Sequence, residues 1–345
     1  MEPDKTFYDR DYKRTCSSVG WSLVIFLAVY NLLGILALLL SGVIEETFTY
    51  KWSYTLTELM NIAVYLAAFL IPAFFLRFIL KKQNLFKAPA YSQGNISSWS
   101  LLLIPATIGI AIVASTVNVI VMSYFGVNEA YQSLIAFDGM YEKYQIVLLY
   151  ISSALVPAFC EEFLFRGTIL ANLAPYGKRN AVIISSVLFG LMHQNPYQII
   201  YTTVAGILLG MAYIKTNSIW LPTAMHFFNN AYSVTGEVIY ANLDSALANS
   251  ILVVTRILML VLGVAALVIY LIRENKKSAR KFDGGFFGKE IELDSSFSEK
   301  PVSVGVAAKG FFRASTVLYI IVSVLSMLML VVKLLLITYG GTGAI

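Results

Sequence analysis

Apolar residues in this chain gather into long blocks separated by short polar stretches, the pattern of helices that cross a bilayer. A helix needs about 20 mostly apolar residues to cross roughly 30 Å of hydrocarbon, within a range of about 17–25. The blocks predict nine spans, at 21–41, 58–80, 100–124, 145–173, 181–194, 197–214, 219–235, 250–273 and 314–339. The fifth to seventh are short and rich in polar residues, and so belong inside the bundle, where polar groups find partners, and not on its lipid-facing wall. No n-region with a small-residue cleavage site precedes the first block, which is expected to be a retained helix. The expected fold is an all-α, polytopic transmembrane helix bundle.

The charges orient it. With the N-terminus in the cytoplasm, 21 of the 25 basic residues fall in cytoplasmic segments; Lys51 and Lys143 fall in outside loops, and Arg256 and Lys333 within spans. That split follows the positive-inside rule and predicts a cytoplasmic N-terminus and an outside C-terminus. The longest polar connection, 274–313, begins with Lys276, Lys277, Arg280 and Lys281 and reads as a flexible cytoplasmic loop. Its basic start suits anionic headgroups, although the same residues are also an ordinary flank of a span.

Composition excludes other classes. The chain has 345 residues, 58% of them hydrophobic and 13% charged, with a mean hydropathy of +0.73. Soluble domains carry about 45–50% apolar and about 25% charged residues. An ordinary soluble enzyme, a disordered protein and a nucleic-acid partner are therefore not expected. Two cysteines, Cys16 and Cys160, cannot build a disulfide framework. An integral, multi-pass protein surrounded by membrane lipids is expected, in the plasma membrane if the source is bacterial.

An ionised carboxylate at the bilayer centre costs roughly 2.5–3.5 kcal/mol on insertion scales, so acidic residues inside spans need a reason. Of 20 acidic residues, ten lie in cytoplasmic segments and eight in outside loops; the remaining two are the adjacent Glu161 and Glu162. Glu162 and Arg166 stand at i,i+4, the favourable order for an ion pair on one helix face. Glu161 points about 100° away, toward the bundle interior. Pro157 removes a backbone hydrogen bond one turn earlier and is expected to kink the span.

Both histidines of the chain also fall in predicted spans. Phe189 lies one turn before His193 and can pack on its imidazole; Asn230 lies one turn after His226 on the same face. From the cytoplasmic end of each helix, His226 lies roughly 10 Å deep, Glu161 roughly 18 Å and His193 roughly 20 Å at 1.5 Å per residue. The three can meet.

A carboxylate, two imidazoles and a carboxamide among apolar helices suit amide hydrolysis, by either of two routes. In one, Glu161 is a general base on a water shared with His193, while His226 and Asn230 donate to the tetrahedral oxyanion. In the other, Glu161, His193 and His226 bind zinc as a His2Glu set with one open position, and Glu162 or Asn230 assists. The sequence contains no His-Glu-x-x-His, no Gly-x-Gly-Asp and no Gly-x-Ser-x-Gly, and no Asp lies in any span. Cys160 adjoins Glu161, but a thiol in an apolar helix is usually inert packing.

Three motifs in order, Glu161-Glu162-x-x-x-Arg166, Phe189-x-x-x-His193 and His226-x-x-x-Asn230, resemble those of the CPBP family (CAAX proteases and bacteriocin-processing enzymes, also called ABI). The surrounding residues agree from Pro157 to Gly167, from Phe189 to Asn195, and over Ser218-Ile219-Trp220-Leu221-Pro222. The resemblance implies that Glu161 is the catalytic glutamate, supported by Glu162 and Arg166. It also implies that His193 acts with it on water and that His226 and Asn230 hold the oxyanion. The family is commonly labelled metallopeptidase, while a metal-free glutamate mechanism has been argued for it, so zinc stays an alternative. Its fold is a helical membrane bundle with a conical cavity.

The resemblance divides the chain into 1–144 with a tail and three spans, a catalytic core at 145–235, and C-terminal spans with the loop at 236–345. The expected activity is that of an intramembrane endopeptidase with a cytoplasm-accessible site, acting on a membrane-associated or lipidated peptide or protein. The rivals are a non-catalytic scaffold or bacteriocin-immunity protein of the same fold, and a transporter. The intact motifs weigh against the first. The lack of matched halves weighs against the second.

Overall fold

A computed structural model of the chain describes residues 5–87, 94, 96–135, 139–281, 302 and 304–340. Among these there is no strand. The helices are α1 (Lys5–Thr47), α2 (Tyr50–Lys82), α3 (Leu103–Ser123), α4 (Asn128–Ile135), α5 (Lys143–Tyr150), α6 (Val156–Leu164), α7 (Ala171–Leu173), α8 (Lys178–Met192), α9 (Ile199–Thr216), α10 (Trp220–Asn242), α11 (Ser245–Lys281), α12 (Val304–Phe311) and α13 (Ala314–Gly340). In hydrocarbon every backbone amide needs an internal partner, which is why apolar blocks of this length become helices and nothing else.

All nine predicted spans are helical, and seven stretches among the described residues are long and apolar enough to cross a membrane. The protein is an integral, multi-pass membrane protein. The two expected spans that fall below that measure are α8, whose 15 residues reach only about 22 Å, and α10, whose polar face lowers its hydropathy. Both bury one side in the bundle and expose the other only in part, through Ile183 on α8 and Trp220, Phe228 and Tyr240 on α10.

Several elements differ from expectation. Helices overrun the apolar blocks: α1 continues for 43 residues, far beyond bilayer thickness, because charged residues at a helix end are solvated without breaking it. The expected flexible loop at 274–313 is helical where it is described at each end, since α11 runs on to Lys281 and α12 occupies Val304–Phe311. Residues 282–301 and 303 lie outside the described residues.

Contacts between helix ends sort as the charges predicted. On the basic side, the Lys87 amide donates to Asn172 Oδ1 at 2.6 Å, the Val302 amide to the Tyr176 carbonyl at 3.1 Å, and the Tyr12 hydroxyl to the Ala307 carbonyl at 3.2 Å. On the acidic side, the Tyr141 amide donates to Asn242 Oδ1 at 3.1 Å and Gln145 Nε2 to the Tyr50 hydroxyl at 3.2 Å.

α1, α2, α6, α8 and α13 share the main apolar core, so the flanking spans α1 and α13 belong to one body with the central helices. Tyr319 on α13, fully buried, donates to the Leu188 carbonyl on α8 at 2.9 Å. α3 and α11 cross where Gly109 meets Gly263; a Cβ on Gly263 would lie 2.6 Å from the Pro105 carbonyl oxygen and 2.7 Å from Gly109 Cα. Small residues allow such backbone contact, the main source of helix attraction in lipid.

Candidate active site

α6 carries the acidic pair, and π-helical turns at Ile151–Leu155 and Phe165–Leu170 flank it. In the first turn the Val156 amide bonds back to the Ile151 carbonyl. This wider turn accommodates Pro157 at the start of α6, so the expected kink takes the form of a π bulge. The second turn carries Arg166 itself.

The carboxylate of Glu162 is completely buried and ties the three motifs together. Its Oε1 accepts from Arg166 Nη1 at 2.7 Å, the ion pair expected from i,i+4 spacing, and from His226 Nδ1 at 2.9 Å. Arg166, itself 1% exposed, also gives Nη2 to the Gly206 carbonyl on α9 at 3.1 Å. A Cβ on Gly206 would crowd Ser186 and the Phe189 ring at 3.1–3.3 Å. The aromatic ring of Phe189 sits at the centre: the Arg166 guanidinium lies 4.5 Å from its centroid, and edge-to-face contacts reach His193 at 5.1 Å and His226 at 5.8 Å.

Each imidazole is anchored through Nδ1. That of His193 donates to the Phe189 carbonyl at 3.0 Å, since a carbonyl can only accept. That of His226 donates to Glu162. His193 lies at the C-terminal cap of α8, not inside a helix as expected, and the chain leaves it through Gln194 in the left-handed region. The loop after it is pinned by Asn118, whose Nδ2 donates to the Pro196 carbonyl at 2.8 Å and whose Oδ1 accepts from the Tyr201 amide at 3.0 Å. Tyr131 stacks on Tyr197 at 3.8 Å.

Glu161 is 3% exposed. Its Oε1 accepts the Tyr65 hydroxyl from α2, while its Oε2 is buried with no hydrogen-bond partner and lies 3.7 Å from His226 Nε2. Glu161, Phe189, His193, His226 and Asn230 all line one cavity of about 270 Å³. Five of the seven expected site residues thus surround the cavity, while Glu162 and Arg166 brace it from behind. Cys160 is buried in the main core and is not among the lining residues.

Sequence reading missed Tyr65, Gln198, Tyr201 and Glu237, which also line this cavity. No local signal marks Tyr65: an aromatic residue in a span is ordinary, and only packing of α2 on α6 brings it to Glu161. The cavity extends past Ser153, Ser233 and Glu237, toward the acidic end of the bundle.

The donor types of a His2Glu zinc site are present, with Nδ1 of each histidine held by an oxygen, as is usual behind metal-bound imidazoles. Their placement does not complete a metal site: among the described residues no three His, Cys, Asp or Glu side chains come together to hold an ion. The arrangement leaves space beside Glu161 Oε2 for a small molecule such as water.

Removing Arg166 leaves the Glu162 charge buried and half-partnered, which typically costs about 3–5 kcal/mol. Arg166→Ala is expected to lose several kcal/mol of stability. Arg166→Lys is expected to recover only part, since one ammonium does not reproduce the two-directional guanidinium contact. Thermal unfolding in detergent checks this; unchanged midpoints would refute the bracing role.

Residues 143–232 match the family described as Type II CAAX prenyl endopeptidase Rce1-like. A protein of Bacillus subtilis (strain 168), YdiL, provisionally named a membrane peptidase, is 34% identical over 92 residues, covering 26% of this chain and 37% of that protein. No solved structure matches. The match to YdiL therefore spans little more than a third of that relative's length. It falls on the helices that build the cavity, and residues 143–232 are similar to that family of CAAX-endopeptidase-like membrane proteins.

Proposed function

We propose that the protein is an intramembrane endopeptidase in which Glu161 activates a water molecule against a peptide bond. The observation that carries this reading is the Glu161 carboxylate: one oxygen is fixed by Tyr65, and the other is buried, unpartnered and adjacent to the cavity. A peptide carbonyl entering that cavity meets a fixed base whose side chain is buried among helices, where such groups act most strongly.

The anchoring of the histidines supports a separate part for each. With Nδ1–H given to the Phe189 carbonyl, neutral His193 presents a lone pair on Nε2. A water can then donate one hydrogen to Glu161 Oε2 and the other to His193 Nε2. Glu161 takes the proton as the water oxygen bonds to the peptide carbon, and the carbonyl electrons move onto oxygen. Asn230 donates from Nδ2 to that oxyanion. His226 gives its Nδ1–H to Glu162, so it can donate from Nε2 only when doubly protonated. As the tetrahedral intermediate collapses, the C–N bond breaks and Glu161 returns its proton to the leaving amine.

The substrate is a peptide or protein segment held at the membrane, with or without a lipid group. The two family names describe other proteins, and they support a peptide substrate more directly than a prenyl group.

Glu161→Gln keeps the shape of the side chain and removes the base. It is expected to lower kcat by roughly 100- to 10,000-fold in a purified-protein assay on a fluorogenic membrane peptide, with unchanged thermal stability. His193→Ala is expected to do the same. Turnover retained in both variants would remove Glu161 and His193 from the chemistry and would favour a non-catalytic scaffold.

A zinc reading is supported by one observation, the oxygen partner at each Nδ1. In that reading Glu161, His193 and His226 would be the ligands, and the ion would supply water activation. Elemental analysis of active, purified protein and dialysis against a strong chelator separate the two readings. The glutamate mechanism expects activity to survive chelation with no stoichiometric metal. About one zinc per chain, with activity lost on removal and restored on return, would establish the metal version.

A further inference from the structure

The cavity has a direction. On α10 the lining residues run from His226 through Asn229, Asn230 and Ser233 to Glu237, eleven residues or about 16 Å along the axis. On the opposite wall Ser153 stands eight residues before Glu161, about 12 Å away. Ser153, Ser233 and Glu237 are all exposed, and all lie on the same side of Glu161.

On the other side the bundle is closed. Beneath Glu161, Phe165, Leu188, Leu221 and Met225 are at most 2% exposed, and the Glu162–Arg166 pair is as deeply buried. Such packing excludes both water and a peptide chain.

The open end is identified by what it contacts. Glu237 accepts the Tyr141 hydroxyl at 2.5 Å, and the Tyr141 backbone is bonded to Asn242, in connections that contain Lys51 and Lys143 as their only basic residues. The closed end carries Lys87, Lys178, Arg179, Lys215 and Arg273. The basic end of a membrane protein faces the cytoplasm.

We infer that the catalytic cavity opens on the extracytoplasmic face, and that the substrate is a peptide segment reaching it from that side. An exported peptide or the outward-facing juxtamembrane stretch of a membrane protein fits this geometry; a cytosolic C-terminal tail does not. The substrate assignment rests on the endopeptidase reading above, whereas the direction of the cavity rests on side-chain placement and charge alone.

The test is thiol accessibility in intact cells expressing the full chain. Ser153→Cys and Ser233→Cys are nearly isosteric replacements on two different helices, so a folding failure in one leaves the other informative. Lys82→Cys marks the basic end, and the parent chain, with buried Cys16 and Cys160, provides the background. A membrane-impermeant maleimide is expected to label Ser153→Cys and Ser233→Cys in intact cells at least several-fold above background, and Lys82→Cys only after permeabilisation. Labelling of the two cavity variants only after permeabilisation would overturn the inference, as would no labelling in either condition. The readout is independent of hydrolysis: a catalytically silent protein that labels as expected would retain the outward cavity and lose only the peptidase reading.

Discussion

A single carboxylate oxygen, Glu162 Oε1, receives both the Arg166 guanidinium and the His226 imidazole in a place that water does not reach. Everything at the site depends on that arrangement. A charge so deeply buried is tolerable only when paired and hydrogen-bonded. Its partners therefore fix α6 against α10 directly and against α9 through the Gly206 carbonyl. Phe189 completes the junction by lying against the guanidinium and both imidazoles. With Glu162 neutralised and turned inward, the neighbouring Glu161 is left facing the cavity.

The two adjacent glutamates thus do different work because a helix turns about 100° per residue. Glu162 is a structural anion held by the Arg166 guanidinium and the His226 imidazole. Glu161 has one oxygen fixed by Tyr65 and one uncommitted, the condition of a base that is positioned but not neutralised. The histidines follow the same logic: each spends Nδ1 on an anchoring oxygen and turns its other nitrogen toward the cavity region.

Much of this was legible in the chain itself. The i,i+4 spacing of Glu162 and Arg166 named the ion pair, and the one-turn spacing of Phe189 and His193 named the ring contact, because local helix geometry determines both. Apolar block lengths located nine helices. What could not be read depends on how distant segments pack. Tyr65 reaches Glu161 across 96 residues of sequence, and the bond between Glu162 and His226 crosses 64. The π turns around α6 carry no motif, and the helical ends of α11 and α12 lie beyond the apolar pattern. The direction of the cavity could not be read either, because depth from the nearest helix end gives no information about which end is sealed by packed side chains.

The central claim is that Glu161 and His193 hold one water in position for attack, braced from behind by Glu162 and Arg166. An experimental structure at a resolution that shows ordered solvent tests it most directly. The account predicts a single water within hydrogen-bonding reach, roughly 2.6–3.2 Å, of both Glu161 Oε2 and His193 Nε2. Density for an ion at roughly 2.0–2.2 Å from Glu161, His193 and His226, or side chains too far apart to share one solvent molecule, would contradict it.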